Sequence, residues 1–290
     1  MDGGKLYGTV TASLRAAGCV FAEDEARLLV AAAVGETELA ALVERRVAGA
    51  PLEQLLGWAE FCGLRIAVEP GVFVPRRRTE LLVQEIVRLL RDTRRTATAG
   101  PVRPVVVDLC CGSGAVAAAV LALTSGLRPE EGAHAVEDRA VEIYAADIEP
   151  AAVRCARRNI GAGGEVFEGD LDEPLPGGLR GRVDILVANA PYVPTAEIAF
   201  MPAEARLHEP RSALDGGADG LDIARRVAAV APGWLAPTGR LLIETSERQA
   251  PRLVELMATV ALPARVVRSE ELDATVVIGS ARPVRRSGRS

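Results

Sequence analysis

The chain is short of several residues that would steer a reading elsewhere. Only two histidines occur, His134 and His208. A zinc site or a histidine-driven triad needs more imidazole than that, so no metal centre is expected. The five cysteines, Cys19, Cys62, Cys110, Cys111 and Cys155, form no CxxC pair. An odd number in a long chain is not a disulfide framework. Free, mostly buried thiols in a reducing cytoplasm are expected. Lysine occurs once, at Lys5, against 33 arginines among the 34 basic residues. With abundant alanine, that bias points to a GC-rich genome more than to a function. No run of about 18 apolar residues exists to span a membrane. The opening MDGGKLYGTV lacks the layout of a signal peptide.

What is present is ordinary for a globular protein: 49% hydrophobic and 25% charged residues over 290 positions. That length supplies one large or two modest domains with a real core. A monomer is expected. The net charge of −5 gives a field that does not attract nucleic acid.

Residues 1–60 read as a helical domain. LRAAGCVFAEDEARLLVAAAV and TELAALVERRVAG carry apolar residues at three-four spacing, and Gly49 with Pro51 marks a stop. GLRIAVEPGVFVP (63–75) alternates apolar and polar residues around Pro70-Gly71. It reads as a hairpin connector within a linker at 61–80. RRRTELLVQEIVRLLRDTRR opens a helix that Thr79 could cap, with Leu82, Ile86 and Leu90 on its apolar face. Over 81–282, short apolar runs alternate with helix-like segments. VVVDLC (105–110), VEIYAAD (141–147), VDILVAN (183–189) and GRLLIET (239–245) read as parallel strands buried on both faces. The pattern predicts a doubly wound α/β sheet with ligands at the carboxyl ends of its strands. Residues 124–140 look like an insertion, and 283–290 like a disordered tail.

Four of those strand tips carry polar groups. After Asp108 comes the small-residue turn Cys110-Cys111-Gly112-Ser113-Gly114, then a helix. Glycines there permit close approach of a ligand, and the free N–H groups of the helix start can face its polar atoms. The turn contains G-x-G-x-x-A (Gly112, Gly114, Ala117), formally a dinucleotide fingerprint. The next strand ends at Asp147, a carboxylate able to accept from both hydroxyls of a ribose, or equally to cap the following helix. The third tip, EGDLDEPLP, offers Asp170 to an adenine amino group and Leu171 to its ring; alone, Asp170 reads as well as a loop residue. The fourth is Asn189-Ala190-Pro191-Tyr192. Cradle, diol acceptor, adenine acceptor and reaction site, in that order, suit S-adenosylmethionine.

The fourth tip can orient a poorly nucleophilic amide NH2. The Asn189 side-chain carbonyl can take one N–H and the Ala190 backbone carbonyl the other. Pro191 stiffens the turn, and Tyr192 supplies a flat wall and a hydroxyl. Positioning of this kind can supply up to about 7–11 kcal/mol of a barrier, and two fixed acceptors stabilise positive charge developing on nitrogen. Asn189, Pro191 and Tyr192 are the expected catalytic residues, and 189–192 the expected substrate-holding segment.

From about residue 10 to 280 the chain resembles the protein-(glutamine-N5) methyltransferases that modify translation release factors. The resemblance rests on the Pro-Arg-x-x-Thr-Glu pattern at Pro75, Arg76, Thr79 and Glu80, on DLCCGSG, on NAPY in place of Asn-Pro-Pro-Tyr, and on HEPRSALDGGADGLD (208–222). It implies a class I methyltransferase fold, a seven-stranded, mostly parallel doubly wound sheet with a small N-terminal helical domain that helps dock a protein substrate. It also implies S-adenosylmethionine as cofactor without a metal, a GGQ glutamine of a release factor as acceptor, and cofactor contacts from Arg76, Thr79, Asp108, residues 110–114, Asp147, Ile148, Asp170, Leu171 and Asn189. The sequence departs from the family at Ala190, where proline is usual, and at Cys110-Cys111, where glycine and a small polar residue are usual. Gln54 replaces a frequent aromatic.

Three rivals stand beside this reading. A methyltransferase acting on adenine N6 or cytosine N4 would use a similar loop. Against it stand the acidic charge, 3% aromatic content and the absence of a recognisable base-flipping surface. A non-catalytic cofactor-binding regulator would not need both Asn189 and Tyr192. A dehydrogenase would want its ribose-binding acid about 20 residues beyond the glycine turn, whereas Asp147 follows Gly114 by 33.

Overall fold

The computed structural model describes residues 3–96, 103–125 and 141–281. Most of the expected insertion at 124–140 and all of the expected tail at 283–290 lie outside these residues. Four helices come first: α1 (Gly3–Ala16), α2 (Ala22–Ala32), α3 (Glu36–Val47) and α4 (Leu52–Leu56). Acidic residues open α2 and α3, and Arg45 and Arg46 close α3, which complements the helix dipole at both ends. Leu14, Leu29, Leu39 and Leu42 form a separate small core among them.

Then follow a hairpin, β1 (Trp58–Phe61) and β2 (Leu64–Ala67), and the long helix α5 (Glu80–Thr96). The rest alternates: β3 (Val105–Leu109), α6 (Ala115–Thr124), β4 (Glu142–Asp147), α7 (Pro150–Ile160), β5 (Gly164–Glu168), β6 (Val183–Ala188), α8 (Ala203–His208), α9 (Asp222–Trp234), β7 (Leu235–Thr245), α10 (Ala250–Thr259), β8 (Ala264–Ser269) and β9 (Ala274–Ser280). Seven strands form one sheet in the order β5-β4-β3-β6-β7-β9-β8. The first four pairings are parallel; β9 runs antiparallel between β7 and β8.

Strand alternation splits the core into two layers. Val106, Ile185, Val187 and Leu242 join α5, α6 and the hairpin on one face. Val105, Val107, Leu186 and Leu241 meet α9 and α10 on the other. Burial on both faces explains why the strands read as unbroken apolar runs. α6 is buried almost all round because its residues are nearly all alanine, valine and leucine.

The hairpin differs from its expected place. It turns at Cys62-Gly63, not at Pro70-Gly71, with Phe61 paired to Leu64. Both turn residues have positive φ, 50° and 73°, the requirement of a two-residue turn matched to strand twist. The Pro-Gly pair lies in the segment beyond β2.

One buried ion pair joins the N-terminal helices internally and to the sheet domain. Arg46 donates to both carboxylate oxygens of Glu25, at 2.6 and 3.1 Å, and to the Ala50 carbonyl. It also donates to Glu204 of α8 at 3.2 Å. Arg46 and Glu25 keep only 11% and 10% of their side-chain exposure. Removing the cation strands Glu25 without its partner. Arg46→Ala is therefore expected to lower unfolding free energy by about 3 kcal/mol, read by urea denaturation.

Candidate functional site

β3 is flanked by β4 on one side and β6 on the other, so the connections leave its carboxyl end in opposite directions. A crevice opens at such a point. Here it is a cavity of about 250 Å³, lined by residues of all four strand tips noted in the sequence and by the segment following the hairpin.

The β3–α6 turn forms one wall. Asp108, Cys110, Cys111, Gly112 and Ser113 line the cavity. Gly114 does not; its role is packing. A Cβ there would lie 2.9 Å from the Cα of Ala156, with φ at +74°, so only glycine lets α6 and α7 approach so closely. Cys110 sits in the left-handed region at φ +55°, which favours the glycine usual in the family. Burial and the nearby carboxylates push both thiols well up, so they are protonated and unreactive. Ser113 is buried, and its carbonyl accepts Asn159 Nδ2 at 2.8 Å. Asn159 also bonds both backbone groups of Ala67, tying this turn to the hairpin.

Asp108 is 2% exposed, and its Oδ2 is buried with no partner. Burial raises its pKa to about 7, the Asp147 charge adds to the shift, and the Ala117 backbone N–H opposes it. A buried carboxylate oxygen without a donor is rare enough to want an explanation. An ammonium group on a ligand supplies one, so this end of the cavity suits the amino-acid end of S-adenosylmethionine.

Asp147 accepts the Gly112 N–H at 2.8 Å on one oxygen and the Glu149 N–H at 2.9 Å on the other. Asp147 is not the helix cap that the sequence allowed, since Glu149 holds the N-cap position of α7. It braces the approach to α7 while lining the cavity beside Ile148, an apolar residue left 56% exposed. Asp170 also lines the cavity, with one oxygen held by Arg226 at 2.7 Å. Leu171 lies alongside, buried and at φ +50°. Strained non-glycine positions beyond two of the strands, Cys110 and Leu171, are a common mark of a ligand site.

Asn189 and Pro191 line the cavity; Ala190 and Tyr192 lie behind it. Asn189 Nδ2 donates to the Thr79 hydroxyl at 3.2 Å. Thr79 is thus not the helix cap expected of it: α5 is entered through a short 3₁₀ turn with no side-chain cap, and the hydroxyl turns to Asn189 instead. Burial, then the Glu244 charge, pushes the Tyr192 phenol to about 12, with Arg78 opposing. It stays protonated, 3.5 Å from the Glu244 carboxylate. The loop is braced from beyond: Val193 exchanges backbone bonds with Leu214 and Gly216, and Gln249 Nε2 donates to the carbonyls of Tyr192 and Asp219, each at 3.0 Å.

The cofactor contact expected of Arg76 is corrected. Arg76 pairs with buried Glu209 and lies 5.1 Å from the Phe73 ring; Gly71, Val72, Phe73, Pro75 and Thr79 line the cavity, and Arg76 does not. Glu209 also accepts the Val74 N–H, which locks the PRRRTE segment to HEPR. Arg77 faces Glu271, and Arg78 faces Glu244, so each arginine of this cluster has a carboxylate. Sequence reading missed Glu244, Gln249, Asn159 and Phe73. Of these, only Glu244 left a signal, an acid inside the apolar run GRLLIET.

Known proteins bear on this site. The chain is 37% identical over 227 residues to the release factor glutamine methyltransferase of Geobacter sulfurreducens, covering 76% of this chain and 70% of that one. It is 36% identical over 209 residues to a 4-amino-L-phenylalanine/4-methylamino-L-phenylalanine methyltransferase of Streptomyces pristinaespiralis, covering 71% and 65%. A methyltransferase structure from Pyrococcus furiosus shares the fold at a TM-score of 0.51 and 14% identity, over 82% of this chain and 99% of that one. No protein-family model matches the chain.

Two outcomes follow from the turn. Cys110→Gly relieves a left-handed side-chain residue and is expected to raise stability by up to about 1 kcal/mol, measured by urea unfolding. Asp108 has a folded pKa of about 7 against 3.8 unfolded. It costs nothing below the lower value and most above the higher. Without ligand, wild-type stability relative to Asp108→Asn should therefore fall as pH rises from about 4 to about 7 and level off beyond. Paired denaturation curves across that range check it.

Proposed function

The chain belongs to the release factor glutamine methyltransferase family, and we propose that it methylates the side-chain nitrogen of a glutamine in a protein, the GGQ glutamine of a peptide chain release factor. The observation that carries this reading is the meeting of Asn189 and Pro191 with the β3–α6 turn, Asp147 and Leu171 around one cavity. S-adenosylmethionine, when bound there, supplies the electrophilic methyl group. Asp108 would hold its ammonium group, Asp147 the ribose hydroxyls, and Asp170, Ile148 and Leu171 the adenine. Asn189 Oδ1 and the Ala190 carbonyl would accept the two N–H groups of the glutamine amide and aim its nitrogen at the cavity.

The family proline is missing at residue 190, but the acceptor it would provide is a backbone carbonyl and survives. The brace from Gln249 and residues 214–216 supports a firm loop without it. We read the enzyme as a monomer of the cytoplasm. Among the described residues, no helix is long and apolar enough to cross a membrane. The pairing of Arg76, Arg77 and Arg78 with carboxylates weighs against a nucleic-acid substrate.

A second reading is a small aromatic amine. The Streptomyces pristinaespiralis relative carries that substrate in its name, and an aryl amine is also a planar NH2 group.

The test is incubation with cofactor and, separately, release factors and 4-amino-L-phenylalanine, followed by mass spectrometry. One methyl on the GGQ glutamine is expected. A methyl only on the aryl amine would install the second reading; methylation of neither would remove both. Asn189→Ala should retain cofactor binding while turnover falls about 10²–10³-fold.

A further inference from the structure

Glu244 lies near the end of an apolar strand, is 2% exposed, and has one carboxylate oxygen buried with no partner. Its neighbours do not account for it as a stabilising ion pair: Arg78 stands 3.6 Å away and is 45% exposed. A buried acid so poorly compensated is costly. Its place suggests what it does. β6 and β7 run parallel with Ala188 beside Ile243, so Asn189, the first residue past β6, stands beside Glu244, the last but one of β7. The Thr79 hydroxyl receives Asn189 Nδ2 at 3.2 Å. Burial raises the Glu244 pKa, and the Thr79 hydroxyl, Arg78 and the Tyr192 phenol oppose that rise.

A threonine hydroxyl has one proton to give. The Thr79 hydroxyl accepts from Asn189 on a lone pair, which leaves that proton for the buried Glu244 carboxyl, whose Oε2 has no other partner. The Asn189 amide must then turn its NH2 inward and its carbonyl oxygen away from Thr79. Turned the other way, two acceptors would compete for one proton. The same carboxylate faces the protonated Tyr192 phenol at 3.5 Å, so both polar residues of the catalytic loop are set from one point.

We propose that Glu244 is a positioning residue of the methyl-transfer centre: acting through the Thr79 hydroxyl, it fixes the Asn189 amide so that its carbonyl oxygen is presented to the acceptor nitrogen. This rests on the methyl-transfer reading above, but its structural half can be tested without substrate. The chain contains only two asparagines, Asn159 and Asn189. Selective ¹⁵N-asparagine labelling therefore gives two side-chain NH2 pairs, assigned by the loss of one in Asn189→Asp.

Glu244→Gln and Thr79→Val are both expected to shift the Asn189 pair and speed its exchange with water, leaving the Asn159 pair in place. Thr79→Ser should restore it. In the release factor assay, Glu244→Gln should lower kcat about 10–100-fold, with affinity for S-adenosylhomocysteine within about twofold of wild type. The double variant Glu244→Gln/Thr79→Val should be no slower than the slower single variant, because both cut one chain of bonds. An unmoved Asn189 pair, a near-normal kcat in Glu244→Gln, or losses that multiply in the double variant would each overturn the proposal. If Glu244→Gln does not fold, the Thr79→Val and Thr79→Ser pair decides it by the same resonance. Wild type inactive on every acceptor would remove the functional reading while leaving the resonance test of Asn189 intact.

Discussion

Leu109 of β3 pairs with Ala188 of β6, so Cys110 and Asn189, the next residue on each strand, leave the sheet side by side. Everything at the site depends on that register. A slip of one residue would reverse the faces of every side chain on β6, sending Ile185 and Val187 into the wrong core layer. It would also carry Asn189 away from the turn at 110–114. The two core layers therefore do more than stabilise the sheet: they hold the turn at 110–114 and the loop at 189–192 at one fixed spacing.

Around that pair, buried carboxylates organise the surrounding segments. Glu209 gathers Val74 and Arg76, which keeps the segment after the hairpin over the cavity. Asp147 holds the Gly112 amide and so joins the tips of β3 and β4. Glu244 stands beside Tyr192 and Thr79. Each is accepted at some cost in stability because it fixes a strand tip or a crossing segment that hydrophobic packing alone would leave free to move. Glu209 and Glu244 each keep one unpartnered oxygen, as does Asp108, which among the described residues is the one of the three that lines the cavity.

Most of the sheet was legible because its strands are short apolar runs and its ligand turns are local in sequence. The 105–109, 142–147 and 183–188 strands end within a residue of their expected bounds, and NAPY stands at a strand tip. What escaped was non-local or ambiguous. Pro70-Gly71 looks like a turn, but the Cys62-Gly63 pair takes the hairpin because both residues reach positive φ. Thr79 has the look of a helix cap, and only the tertiary approach of Asn189, 110 residues later, claims its hydroxyl. Gln249 is an ordinary polar residue until α10 brings it under Tyr192. Beginning β7 at Leu235 rather than Gly239 likewise depends on the pairing of Leu235 with Val183.

The brace on residues 189–192 also has a consequence for how the protein comes into being. Residues 189–192 reach the outside of the ribosome before Leu214, Gly216 and Gln249, yet those later residues hold the loop. A proline at 190 would have stiffened the segment from within as soon as it was made. With alanine there, shape arrives from outside, and only when the last third of the chain has docked against β6. In this protein the competence of the site is therefore tied to completion of synthesis.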